Sequence, residues 1–187
     1  MESVSSFEIS QILGCVQTAV LRCNVEALNV FIRVKVILQT LFGENTAVSL
    51  KRVQVEFPSC VFVCGTLKSL TLNVSHVILK SPCFSPSSSS SNLVNLKLGN
   101  VTIENGDGFC KWVSVSCKSL KELSLWGLEG LKNVTIQSSS LESLVIQQLL
   151  GLFQLNISGE KLEKSDGGRL YALSGIALQC SAFGYLY

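Results

Sequence analysis

Side chains able to carry acid–base, nucleophilic or metal chemistry are few in this chain of 187 residues, and they are poorly spaced. His76 is the one histidine, Asp107 and Asp166 are the two aspartates, and most of the eleven glutamates stand alone. A Ser-His-Asp or Cys-His site would have to be assembled around His76. That residue follows an aliphatic run, the usual place of a surface or turn histidine. Zinc would need mostly thiolates, yet the eight cysteines contain no C-x-x-C pair. Cys60 and Cys64, four residues apart, form the best pair for a disulfide. Gly106-Asp107-Gly108 is the densest glycine cluster, and no Lys-Ser or Lys-Thr follows it to make a phosphate loop. The inventory predicts a protein that is not an enzyme and holds no cofactor and no metal.

The same residues bound the setting. The start, Met1 to Glu8, lacks the basic region and continuous apolar core of a secretory leader. Reduced thiols in the cytoplasm or nucleus are therefore expected. Cys15, Cys23, Cys110 and Cys117 lie in aliphatic or amphipathic contexts and are expected to be small buried hydrophobes. N-x-S/T sequons at Asn73, Asn100, Asn133 and Asn156 are expected to carry no glycan. The net charge is +2 and the 15 Lys and Arg are scattered, which gives no footprint for nucleic acid. Residues 143–157 and 170–187 are the most apolar stretches. Both fall short of the about 20 apolar residues of a spanning helix, so a membrane is not the expected partner.

What must position any functional residue is a repeated aliphatic pattern. Leu67-x-x-Leu70-x-Leu72, Leu93-x-x-Leu96-x-Leu98, Leu120-x-x-Leu123-x-Leu125, Leu141-x-x-Leu144-x-Ile146 and Leu152-x-x-Leu155-x-Ile157 start at 67, 93, 120, 141 and 152, in steps of 26, 27, 21 and 11. All but the last step match the leucine-rich repeat, whose period is about 20–29 residues. Each such unit supplies a strand whose aliphatic face is buried only when a neighbour stacks on it. The short step has two readings. Leu131-x-x-Val134-x-Ile136 begins a second series that continues at Leu152, one strand per side of a solenoid; alternatively that match is accidental and the coil tightens. The predicted fold is therefore α/β: a solenoid over residues 1–164, with parallel concave strands and strands or short helices on the convex side. An atypical apolar tail, 165–187, follows.

Other elements complete it. Ser5-x-x-Glu8 is a capping box, and Ile9, Ile12, Leu13, Val16 and Val20 share one face of a helix over 5–22. Val25-x-x-Leu28-x-Val30 reads as a degenerate repeat strand. Residues 31–57 are poorly periodic, with Val53-x-Val55-x-Phe57 the clearest strand. Pro82, Pro86 and Ser87 to Ser91 mark a flexible loop over 81–92. Phe109, Trp112, Val113 and Cys117 predict a second helix over 107–117, capped by Asp107, with Trp112 as a core wedge.

Strand alternation then gives a candidate binding face. Residues beside the inward leucines point outward: Ser69, Thr71 and Asn73; Asn95, Lys97 and Gly99; Glu122, Ser124 and Trp126; Ser143, Val145 and Gln147. Trp126 on this small, polar strip is either a binding anchor or an aromatic packed under a loop.

Several runs carry a family likeness. Cys117-Lys118-Ser119-Leu120-Lys121-Glu122-Leu123-Ser124-Leu125 continues into Lys132-Asn133-Val134-Thr135-Ile136 and Ser138-Ser139-Ser140-Leu141-Glu142-Ser143-Leu144. With Phe109-Cys110-Lys111-Trp112, Leu155 to Glu163 and Val20 to Leu28, these resemble the plant F-box/leucine-rich-repeat family over roughly residues 5–30 and 58–164. The resemblance implies the substrate-recruiting arm of an SCF-type E3 ubiquitin ligase, with a protein substrate as partner and no catalytic residue. The F-box that grips the SCF adaptor would precede residue 5 and is not in this sequence, so the adaptor is expected as a partner only if an F-box lies upstream. Ser165-Asp166-Gly167-Gly168 stands where another repeat would begin, so a truncated form is expected. The alternative expectation is a secreted or receptor-like repeat protein. Against it, the extracellular Gly-x-Ile-Pro signature is missing, and Ser75, Val101 and Leu128 stand where Asn would be.

Overall fold

The computed structural model describes residues 6–32, 55–75, 77–80, 91–159, 161–162 and 177–180. Ser5, His76, most of the 31–57 segment, residues 81–90 and most of 165–187 lie outside the described residues. The chain is α/β, with parallel sheets and two helices, one of them N-terminal.

The aliphatic alternation folds as the residue types require. Strands β1 (Ala27–Ile32), β3 (Ser69–Val74), β5 (Asn95–Gly99), β7 (Glu122–Trp126) and β9 (Ser143–Gln147) form one parallel five-stranded sheet in that order. Their register aligns identical positions of the pattern. Leu70, Leu96, Leu123 and Leu144 make one row, and Leu72, Leu98, Leu125 and Ile146 the next. Every one of these side chains is buried. Parallel neighbours need a crossover, and here the crossovers carry the other elements.

Strands β2 (Val55–Glu56), β4 (Val77–Leu79) and β6 (Thr102–Ile103) make a second parallel sheet. It continues as single-residue parallel bridges from Thr102 to Glu129 and from Glu129 to Leu150. Strands β8 (Asn133–Gln137), β10 (Gln154–Ser158) and β11 (Ala177–Cys180) make the third. The series begun at Leu131 thus pairs in a sheet of its own, apart from the series of Leu120 and Leu141. Four residues of the apolar tail, Ala177–Cys180, join β10 in parallel. Leu162, 21 residues after Leu141, is buried as the earlier first leucines are.

Helix α1 (Ser6–Arg22) buries Ile9, Leu13 and Val20, but Ile12, expected on that face, is 39% exposed. Arg22 in its last turn suits the negative helix pole. Helix α2 (Gly106–Val115) buries Phe109, Cys110, Trp112 and Val113. Its cap is not Asp107 but Asn105, which has extended backbone angles and whose Oδ1 accepts from the Gly108 N–H at 2.8 Å. Asp107 lies inside the first turn, where a negative charge suits the helix dipole. Ser114 couples α2 to the edge of β8: its hydroxyl donates to the Cys110 carbonyl at 2.8 Å and accepts from the Gln137 N–H at 3.0 Å. Trp112 is in the core as expected, but its ring meets Phe62 edge-on at 5.5 Å and Phe109 at 6.1 Å between ring centres.

The end of the serine segment is not loose. Ser91 is buried, its N–H donates to the Ser116 carbonyl at 2.9 Å, and Asn92 Nδ2 donates to the Gly65 carbonyl at 2.6 Å. Ser91 and Asn92, the last two residues of the segment expected to be flexible, are therefore anchored, while 81–90 lie outside the described residues.

Candidate functional site

The face opposite the buried leucines of the five-stranded sheet is assembled by register alone. Ser69, Asn95, Glu122 and Ser143 are Cα partners in one row; Thr71, Lys97, Ser124 and Val145 form the second; Asn73, Gly99, Trp126 and Gln147 form the third. All twelve residues expected on the open face stand there; eleven are at least partly exposed, and Gly99 is buried. Strand β1 extends the rows with Ala27, Asn29 and Phe31. Those three escaped the sequence reading, although applying the same alternation to Val25-x-x-Leu28-x-Val30 would have found them.

Trp126 is partly buried, and the cause is its neighbour. A Cβ built on Gly99 would lie 2.1 Å from Cε2 of the indole, so the ring rests on the bare backbone of β5. Neither sequence reading of Trp126 described this, because the covering element is the adjacent strand and not a loop. Beyond Gly99, Asn100 takes a left-handed φ of 55°, a conformation asparagine tolerates. Its Nδ2 donates to Asn73 Oδ1 at 2.8 Å, fixing the Asn73 amide.

Charge on the face is minimal and internally matched. Lys97 Nζ and Glu122 Oε2 are 3.6 Å apart, both about half exposed. Glu26 with Lys68 and Lys121 with Glu142, each at 3.1 Å, border the first row. Such exposed pairs contribute little stability, of order 0–1 kcal/mol. They leave the face without a net field.

The remaining chemistry lies elsewhere. Among the described residues no group of three or more His, Cys, Asp or Glu could hold a metal ion, and no helix is long and apolar enough to cross a membrane. A cavity of about 470 Å³ between α1 and β2, lined by Leu13, Gln17, Phe57 and Lys80 among others, shares no residue with the face.

Cys15, Cys23, Cys60, Cys64, Cys110 and Cys117 are free. Cys110 and Cys117 are buried as expected; Cys15 and Cys23, also expected to be buried, are exposed, Cys15 because it lies off the narrow face of α1 that meets the core and Cys23 because it follows the end of the helix. Burial pushes the Cys117 thiol from its ordinary 9.0 up to about 12, against a smaller opposing effect of its hydrogen bond with Ser91. Folding therefore keeps a proton that the unfolded chain sheds above pH 9.0. The stability tied to Cys117 is complete below that pH and is lost progressively up to about 12. Cys117→Ala is expected to flatten the alkaline decline in denaturation midpoint; an unchanged slope in that variant would refute the assignment.

No known family model, no curated protein and no solved structure matches this chain.

Proposed function

We propose that this chain is a protein-binding module, a leucine-rich-repeat solenoid whose five-stranded sheet lines the concave side and receives a protein guest there. The observation that carries this reading is the register: five parallel strands place small, polar and aromatic side chains in three straight rows, with every inward position aliphatic. Such a surface has the breadth of an interface. The likeness of residues 5–30 and 58–164 to plant F-box/leucine-rich-repeat proteins supports a guest destined for ubiquitination, recruited by an SCF-type ligase when an F-box accompanies the repeats.

Photo-crosslinking amino acids at Thr71 and Ser124 test this in cells of the source organism, with one at the exposed Lys111 of α2 as the outside control. The same one or few proteins should be captured from both face positions, and a second-site Ser124→Arg change should abolish capture from Thr71. The captured protein should accumulate when the chain is removed. Equal capture from Lys111, or indifference to Ser124→Arg, would overturn the binding face. Capture without accumulation would remove the ligase role alone.

A further inference from the structure

The third row of the face defines the chemistry of the guest, an inference that rests on the protein-binding reading above. Phe31, Asn73, Gly99, Trp126 and Gln147 stand along it as successive Cα partners. Phe31 is 64% exposed, a large apolar ring directed away from the core. At the other end the indole of Trp126 lies down over Gly99, and so extends from β7 toward β3. Strands about 4.8 Å apart put Phe31 about 10 Å from the Gly99 position. The interval between ring and ring is then about one strand wide, with the fixed Asn73 amide as its floor. An interval of that width, apolar at both ends, admits one branched aliphatic or aromatic side chain.

The rest of the face decides what surrounds that side chain. Lys97 and Glu122 are the only charged residues in the three rows, and they answer each other. A charged group buried here would lose its hydration without gaining a partner, which is costly. Asn29, Thr71, Asn95 and Ser124 instead offer neutral donors and acceptors of the kind that match peptide amides. We infer that the guest docks as an extended, uncharged stretch of protein chain that inserts one large apolar side chain between Phe31 and Trp126. A neutral sugar could also stack on the indole, but the bare phenyl ring of Phe31 has no hydroxyl or amide to offer it.

A random peptide library displayed on phage and panned over the whole chain supplies the probe. Selected peptides are then synthesised and titrated against variants whose circular dichroism matches the parent. The expected peptides are uncharged and share a large apolar residue. Their binding falls about tenfold or more in Phe31→Ala and in Trp126→Ala, and also in Gly99→Ala, where the new methyl lifts the indole. It changes less than about twofold between about 0.05 and 0.5 M NaCl, and is untouched by Phe153→Ala on another surface. Peptides that are charged and salt-sensitive, or that lose affinity in Ser124→Arg but not in Phe31→Ala or Trp126→Ala, would overturn this inference and leave the binding face standing. Peptides indifferent to Ser124→Arg would sink both. Displacement of the peptides by neutral oligosaccharides at lower concentration than by an unlabelled peptide would reassign the row to sugar.

Discussion

Trp112→Ala is expected to lower the stability of the chain by about 3–5 kcal/mol, the cost of truncating a large aromatic in a packed core. The side chain is 2% exposed. It stands in a file of rings that runs from Phe57 to Phe62 at 5.9 Å, from Phe62 to Trp112 at 5.5 Å and on to Phe109. Phe57 and Phe62 flank a short turn of helix at Ser59–Val61, while Phe109 and Trp112 belong to α2. The indole therefore ties together segments about fifty residues apart in sequence. Its removal leaves a void between them in a packed core. Trp126→Ala removes the same side chain from a partly exposed site on bare glycine backbone. It is expected to cost under about 1.5 kcal/mol. Denaturant midpoints of the two variants make the comparison. Equal losses would mean that the ring file does not hold these segments together.

The contrast between the two tryptophans also marks what sequence could reveal. Trp112 was legible because Phe109, Trp112 and Val113 fall on one helical face, a period that survives any detail of packing. The five-stranded sheet was legible for the same reason: each Leu-x-x-Leu-x-Leu run buries alternate side chains, and the repeat spacing sets which runs are neighbours. The second sheet was legible only at β2, inside the run Val53-x-Val55-x-Phe57. Its strands are two or three residues long, and Glu129 and Leu150 join it as single bridges, too short for any periodicity to register. Asn105 and Asp107 are both good capping residues, so composition alone could not choose between them. The choice follows from the chain still being extended at Asn105. Ile12 shares a sequence pattern with Ile9 and Leu13, yet it lies at the margin of a contact narrower than the pattern. The rows of the open face followed from alternation, and Phe31 was missed because the strand that carries it was judged degenerate. The resting place of Trp126 depended on the absence of a side chain on a different strand, which a reading strand by strand does not reveal.

Gly130→Ala is expected to approach the loss of Trp112 in its damage, for a reason that involves no side chain of its own. Gly130 has φ of 91° and Gly151, 21 residues on, has φ of 75°, each following a bridge residue of the second sheet. Both positions therefore ask for a backbone shape that L side chains rarely adopt, at about 1–2 kcal/mol. Their surroundings differ. A Cβ on Gly151 meets nothing within 4 Å, whereas one on Gly130 would lie 2.0 Å from the Ile103 carbonyl oxygen. That oxygen belongs to backbone held on both sides: the Ile103 N–H donates to Glu129 at 2.9 Å, and the Glu129 N–H donates to Val101 at 3.2 Å. Unlike an indole it cannot swing aside, so the chain must move and break this pairing. Overpacking of that kind adds about 1–3 kcal/mol, giving about 2–5 kcal/mol for Gly130→Ala against about 1–2 kcal/mol for Gly151→Ala. Hydrogen exchange should localise the damage. The Ile103 and Glu129 amides should lose protection in Gly130→Ala and keep it in Gly151→Ala. Two alanine variants of equal stability would show that left-handed backbone alone governs both sites, and that the close approach at Ile103 costs nothing.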